Sequence, residues 1–401
     1  MNAASPQTAG PGYATPGLGS RSFRLMLVAS FAGFGGYALL LPVVPLWAST
    51  GGAAEFGAGA TTGVLMASTV ATQLGVPWLL HRVGHRVVLA AGMLLLGAPS
   101  PLYAVAPDLL LLLAVSLLRG IGFGLLTVAG SALIAELVPS PELGRASSRY
   151  GLAVGLPLLV LLPAGVGVAQ LVGFAPLFML AGVLPVVSVV AVPWIRLPHR
   201  GEPAVDETTP AQRWRVVRAT AGPWLVMLTC SIAQGGLITF LPLAVPQPGV
   251  LVPTALLATT AGTLLGRLVA GELTDRRGMA GRLLPVGVLG AAIGMVIEML
   301  AVGGSGPLSA VAVVAGAALV GIGFGAVQND SLVMLFGSVG STGYGAASAA
   351  WNIAYDTGTG VGATGLGAVA QPLGFEAAFG VSATLLALIL PSVLVTHRRG
   401  G

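Results

Sequence analysis

Apolar residues occur along this chain in blocks of about twenty, broken by short polar or Gly- and Pro-containing segments, rather than as a stripe with one wet face. A helix needs about 20 apolar residues, rising about 1.5 Å each, to cross a hydrocarbon core of about 30 Å. On that measure the pattern predicts twelve spanning helices, over residues 25–47, 58–80, 87–106, 109–134, 148–170, 174–195, 222–245, 250–273, 283–302, 309–335, 346–369 and 376–396. Residues 1–20 are rich in Pro, Gly, Ala and Ser and read as a disordered tail. No cleavage-type polar region follows the first apolar block, so it is expected to stay as a helix rather than leave as a signal peptide. The one sizeable polar stretch, residues 196–220, divides six blocks from six. It reads as a linker, with a short amphipathic surface helix at Arg213, Trp214, Val217 and Arg218. The expected division is therefore a tail 1–20, a six-helix bundle 21–195, a linker 196–220 and a second six-helix bundle 221–401: an all-α membrane protein.

Composition agrees with the pattern. Of the 401 residues 55% are hydrophobic and 8% charged, where a soluble domain has about 25% charged, and this excludes a soluble globular enzyme. Charge placement adds orientation. All eighteen basic residues are arginine; sixteen fall at the tail, the linker, the carboxyl end and alternate loops, while Arg119 and Arg267 lie within helices. The positive-inside rule then puts both termini in the cytoplasm and makes this a multi-pass protein of the plasma membrane. Glu55, Asp108 and Glu376 fall in the loops left for the other side, an independent pattern that gives the same even helix count. The net charge of +5 does not point to nucleic acid, because no basic run is interleaved with aromatics on a soluble surface. Cys230, the single cysteine, can form neither an internal disulfide nor a cysteine metal site and reads as a small hydrophobe.

The second half of the chain repeats the first. Ala169, Gln170, Gly173, Phe174 and Phe178 recur as Ala370, Gln371, Gly374, Phe375 and Phe379 at an offset of 201, and Gly120-Ile-Gly-Phe-Gly124 recurs as Gly321-Ile-Gly-Phe-Gly325 at the same offset. Gly35-Gly36 with Leu41-Pro42 recurs as Gly235-Gly236 with Leu241-Pro242 at 200. Two like-oriented six-helix bundles related by an axis along the membrane normal form a transporter architecture, with the substrate held between them near the midplane.

The segment Gly271-Glu-Leu273-Thr-Asp275-Arg276-Arg277-Gly278 resembles the signature loop of the major facilitator superfamily, Gly-x-Leu-x-Asp-Arg-x-Gly-Arg-Arg, although Met279 and Ala280 replace its last two basic positions. The equivalent loop of the first half departs further: Pro77 takes the glycine place and His81 the aspartate place, followed by Arg82, Gly84, His85 and Arg86. Arg119-Gly120-Ile-Gly122-Phe-Gly124 is similar to the family's Arg-x-x-x-Gly-x-Gly signature with the spacer missing, and Gly151, Gly155 and Pro157 are similar to the glycine-proline motif of its proton-coupled exporters without the closing glycine pair. The resemblance spans nearly the whole chain. It implies alternating access, with the loop aspartate holding the inner gate. Here that latch would be Asp275 against Arg145 and Arg149, with His81 and Arg82 on the weaker copy, Arg276 in the loop and Asp330 near the same end of the tenth helix.

Charges inside a bilayer cost at least about 2.5–3.5 kcal/mol each on insertion scales, so each one present calls for a reason. Arg119 sits ten residues into the fourth predicted helix, about 15 Å deep. It reads either as a structural arginine bonded to carbonyls or as a cavity cation that binds an anionic group or governs proton release. Asp356 reaches similar depth in the eleventh helix, shares a face with Asn352 and Gly360, and is flanked by Trp351 and Tyr355. Arg119 approaching across the cavity would offset its charge. Asp356 is the leading candidate for proton coupling, against a structural hydrogen-bonded acid; in the repeat it aligns with Gly155. Asp330 beside Asn329 suits a gate or a helix end. Glu298, one turn from the outer end of the ninth helix, is expected to snorkel. Tyr37 and Gln234, next to the repeated glycine pairs, are neutral groups that would orient a solute in a mostly apolar pocket, or packed side chains with a satisfied polar tip. The substrate-binding set is thus Tyr37, Arg119, Gln234, Asn352 and Asp356.

The function these features predict is proton-coupled export of a small amphipathic or weakly polar molecule, an antiporter acting as a monomer, with no cofactor, no metal and no catalytic residue. An uptake symporter or uniporter, or a non-transporting sensor, is the alternative. No Gly-x-x-x-x-Gly-Lys-Ser/Thr sequence is present to use ATP, and no metal cluster, paired carboxylates or large aqueous domain suggests an enzyme.

Overall fold

In the computed structural model the described residues are 17–105, 108–139, 142–196, 210–245, 249–279, 281–339 and 344–399, and they fold into helices without a strand. In order these are α1 (Arg21–Leu40), α2 (Val43–Thr50), α3 (Glu55–Val83), α4 (His85–Gly97), α5 (Leu109–Leu137), α6 (Leu143–Val172), α7 (Phe174–Ser188), α8 (Pro210–Ala244), α9 (Leu251–Arg277), α10 (Leu284–Ala301), α11 (Pro307–Val339) and α12 (Tyr344–Arg399). Helices α1 and α2 form one span broken at Leu41-Pro42, and the spans of α4 and α7 end in single 3-10 segments, Ser100–Val105 and Val189–Trp194. Eleven helical stretches among the described residues are long and apolar enough to span, the last of them Ala347–Leu394 with 48 residues. That length exceeds twice the roughly 20 residues of one crossing. It is broken at Gly374, whose φ of 84° and ψ of 169° are not helical, so the chain makes twelve crossings. The halves form the two six-helix bundles that the apolar blocks predict.

Gly173 makes the same corner between α6 and α7, with φ 84° and ψ 174°. Only glycine adopts that geometry without strain, so the sequence repeat at offset 201 is a repeat of backbone shape. Packing repeats as well. A side chain on Gly120 would collide with the backbone of Leu65, and one on Gly321 with that of Thr259; Gly122 lies on Gly92 and Leu96, and Gly323 on Gly287 and Ala291. In each half one glycine ladder therefore seats the fourth helix on the second and third, as expected where close backbone approach replaces a hydrophobic driving force.

Two expectations change at the chain's polar segments. Residues 17–20 are ordered: Gly17 N–H donates to Leu137 O at 3.1 Å, Leu18 N–H to Glu142 Oε2 at 2.9 Å, and Ser20 Oγ accepts from Phe23 N–H at the start of α1. The rest of the expected tail, 1–16, lies outside the described residues. So does 197–209 of the expected linker. From Pro210 the helix runs unbroken into the seventh span, in place of a separate surface helix; the side chains of Arg213, Trp214, Val217 and Arg218 lie outside the described residues.

The halves meet through α3 with α12 and α6 with α9. On α3, Gly59 and Gly63 face Ala363 and Thr364 of α12, while Gly360 and Gly367 of α12 face Met66 and Phe56. Gly167 of α6 faces Pro253 of α9, and Thr260 Oγ1 donates to Leu159 O at 3.5 Å. Because α3, α9 and the chain before Gly374 all approach the face opposite Arg21 and Arg196, these contacts close that face. Toward the other face Gly75 on α3 and Gly151 and Gly155 on α6 look onto open space.

Candidate solute and proton site

One contact between the halves is a bond between polar side chains. Gln73 Nε2 of α3 donates to Asp356 Oδ2 of α12 at 2.7 Å, and the same amide lies 3.3 Å from Thr127 Oγ1 of α5. Both Gln73 and Asp356 are buried. The glycine-lined crossing of α3 and α12 explains how two short polar groups on different halves meet: with no side chain between the backbones beyond them, the helices are close enough for a direct bond. Arg119 does not pair with Asp356; the ion pair seen among the described residues is Arg276 with Glu272, exposed and one turn apart on α9.

Arg119 is 1% exposed. Its Nε donates to Leu96 O at 3.1 Å and one terminal nitrogen to Gly36 O at 3.0 Å, and its Cζ lies 5.6 Å from the centre of the Tyr103 ring. It thus ties α1 to the end of α4. Tyr37 stacks on Phe123 with ring centres 4.0 Å apart, and its buried hydroxyl has no partner among the described residues. Tyr37, Thr61, Thr62, Tyr103, Ser116 and Arg119 line a cavity of about 10 Å³, the space of about one water molecule. Tyr103 and Ser116 hydroxyls share a bond of 2.8 Å. Tyr37 and Arg119 thus border the same small space.

The other expected residues are placed as follows. Gln234 exchanges hydrogen bonds with Thr259 of α9 at 3.2 and 3.3 Å. Asn352 Nδ2 donates to Ser348 O of its own helix at 2.8 Å. Trp351 stacks beside Tyr355 and donates to Ser331 Oγ at 3.0 Å. Asp330 is buried, and its Oδ2 accepts from Leu283 N–H at 2.8 Å, which caps the start of α10. His81, Arg82, Arg145 and Arg149 are exposed; Arg82 lies over Trp78 and Arg149 reaches Leu18 O at 3.4 Å. The side chain of Asp275 lies outside the described residues.

Glu298 corrects an expectation. It does not snorkel: it is fully buried, and a carboxylate oxygen comes within 2.9 Å of where a side chain on Gly316 of α11 would begin. That glycine leaves the room the carboxyl occupies. Gln73 lies outside the set of residues that the sequence singles out. Thr62, Thr69 and Gln73 share one face of the second helix at spacings of seven and four, a polar stripe that could have marked it; Tyr103 and Ser116, on neighbouring elements, carry no such signal.

Twelve crossings in two like halves around a buried polar centre define an integral membrane transporter fold. The model of the Major Facilitator Superfamily matches residues 26–363, and the chain belongs to that family. No curated protein sequence matches it. Among solved structures it is similar to a peptide transporter, POT (TM-score 0.78, 15% identity, 94% of each chain covered). It is also similar to the nucleoside transporter NupG (TM-score 0.75, 12% identity, 94% of this chain and 99% of that one). A third likeness is to a bacterial homologue of the human lysosomal transporter Spinster in an inward-facing, unoccupied conformation (TM-score 0.72, 14% identity, 94% and 96% covered). At these identities the likeness is one of fold.

Proposed function

We propose that the protein is a proton-coupled secondary transporter that exports a small amphipathic or weakly polar molecule by alternating access, as a monomer in the plasma membrane with the arginine-rich face and both termini in the cytoplasm. The units that rock are residues 21–195 and 221–401. The observation that carries this reading is the Gln73–Asp356 bond, in which buried side chains of opposite halves bond directly to each other. A carboxylate that accepts a hydrogen bond in one state and loses it when the halves part must be rehydrated or protonated, because a bare charge in lipid is costly. A proton taken from the far side as α3 and α12 separate, and given up to the cytoplasm as Gln73 returns, couples the two movements.

Tyr37, Arg119, Gln234 and Asn352 surround the path a solute would take, with Arg119 acting on the solute through Tyr37 and the cavity between them. On the cytoplasmic face Asp275, Arg145, Arg149, Arg276, His81, Arg82 and Asp330 form the gate. The family's POT and NupG relatives carry peptides and nucleosides by name, and neutral solutes with both polar and apolar parts suit a centre with few charges.

The test uses proteoliposomes and a solute found by thermal stabilisation from a panel of amphipathic cations, nucleosides, dipeptides and sugars. Asp356→Asn abolishes flux driven by a pH gradient and leaves solute counterflow intact. Full gradient-driven flux in that variant would remove Asp356 from the mechanism.

A further inference from the structure

A second site lies at the membrane surface, apart from the polar centre. At the start of α1 and the end of the sixth span, Arg21, Ser22, Val190, Pro193, Trp194 and Arg196 line an open cavity of about 700 Å³. Arg21 stacks its guanidinium over the Trp194 ring, with Cζ 5.5 Å from the ring centre, and Arg196 N–H donates to Ser22 Oγ at 2.9 Å. The two elements that carry the arginines are thus fixed to each other, while both guanidinium groups stay at the surface. Among the described residues no acidic side chain lines the cavity. Along the same two helices, one to two turns toward the bilayer centre, Val28, Val187 and Val190 are 61%, 62% and 72% exposed.

We infer that this cavity is a binding site for one anionic phospholipid, its phosphate held by Arg21 and Arg196 and an acyl chain laid along Val28, Val187 and Val190. The chemistry is complementary at each level. Guanidinium groups bind phosphate through paired N–H donors. Tryptophan suits the boundary between headgroups and hydrocarbon, and its stacking with Arg21 holds that side chain flat and presented. Basic pockets between spanning helices are of the kind that hold anionic headgroups. A soluble phosphate would use the arginines and leave the valine strip unused; a lipid uses both. The inference rests only on the chain spanning a bilayer, and not on the transport reading.

The experiment is native mass spectrometry of the full chain from micelles doped with equal phosphatidylglycerol and phosphatidylcholine. The wild type retains phosphatidylglycerol preferentially, and each of Arg21→Gln and Arg196→Gln lowers that preference by about fivefold, the weight of one arginine at an anionic surface. Arg277→Gln, an exposed arginine at the end of α9, leaves it unchanged. In vesicles of phosphatidylcholine with a brominated phosphatidylglycerol fraction, tryptophan quenching exceeds that from the same fraction of brominated phosphatidylcholine, and Trp194→Phe removes the excess. Equal retention of the two lipids, equal loss in Arg277→Gln, equal quenching, or displacement of the bound lipid by inorganic phosphate at physiological concentration would each overturn the assignment.

Discussion

The Gln73 amide of one half and the Asp356 carboxylate of the other meet across 2.7 Å, beside a crossing in which Gly59, Gly63, Gly360 and Gly367 bring α3 and α12 together. That bond belongs to the conformation closed on the face away from the termini. Hydrogen bonds between membrane helices are worth about 0.6 kcal/mol on average and up to about 1.7 kcal/mol. Gln73→Leu is therefore expected to shift the balance toward the other conformation by roughly three- to twentyfold. The check is thiol labelling of Gly155→Cys in a Cys230→Ser background, from the termini face. Labelling slows in Gln73→Leu; an unchanged rate separates the pair from the conformational equilibrium.

Arg119 bonds two main-chain carbonyls, Gly36 O and Leu96 O, the second of which also accepts from Ser100 Oγ at 3.1 Å, and its truncation removes two charged hydrogen bonds. Arg119→Ala should lose about 1.5–3 kcal/mol for each charged hydrogen bond removed, seen as a lower thermal unfolding temperature in detergent. Arg119→Lys, with one ammonium in place of a fork, should fall between. A variant that keeps wild-type stability and loses only transport would assign the arginine to the solute instead.

The glycine ladders make a paired prediction. Gly120→Ala and Gly321→Ala each force a methyl against the backbone of the second helix of its half, at Leu65 and Thr259, an overpacking cost of typically about 1–3 kcal/mol. Gly151→Ala faces open space and should be neutral or slightly stabilising in its helix. Similar losses at 120 and 321 would express in energy the equivalence that the sequence repeat states in letters.

Asp330→Ala removes the acceptor for Leu283 N–H at the start of α10 and should cost about 1 kcal/mol, the usual worth of such a cap. Asp330→Asn should retain most of it. Loss of transport in Asp330→Asn at full stability would instead favour the gate.

Much of this architecture was legible in the chain. Apolar block length set the number and place of the spans to within a few residues, because a bilayer imposes one dimension on every crossing. The repeat set the two-fold plan, and Gly173 with Gly374 shows why those letters recur. The centre was less legible. Depth along a helix can be read from sequence, and it singled out Asp356 and Arg119, but depth says nothing of rotation. Arg119 turns toward carbonyls of α1 and α4, and the partner of Asp356 is a glutamine on a helix read mainly for its loop. Glu298 departs from expectation for a related reason: its place near a helix end suggests an escape to water, whereas a glycine on the adjoining helix gives it a seat.

Position 356 of the second half answers to 155 of the first, so on the proposed reading the duplicated scaffold would set a carboxyl on one wall of the solute path against bare main chain on the other. A guest between those walls would meet unlike surfaces, and a molecule with distinct polar and apolar ends would enter in one orientation. Enantiomers or regioisomers that exchange those ends should compete poorly, whichever direction the cargo travels.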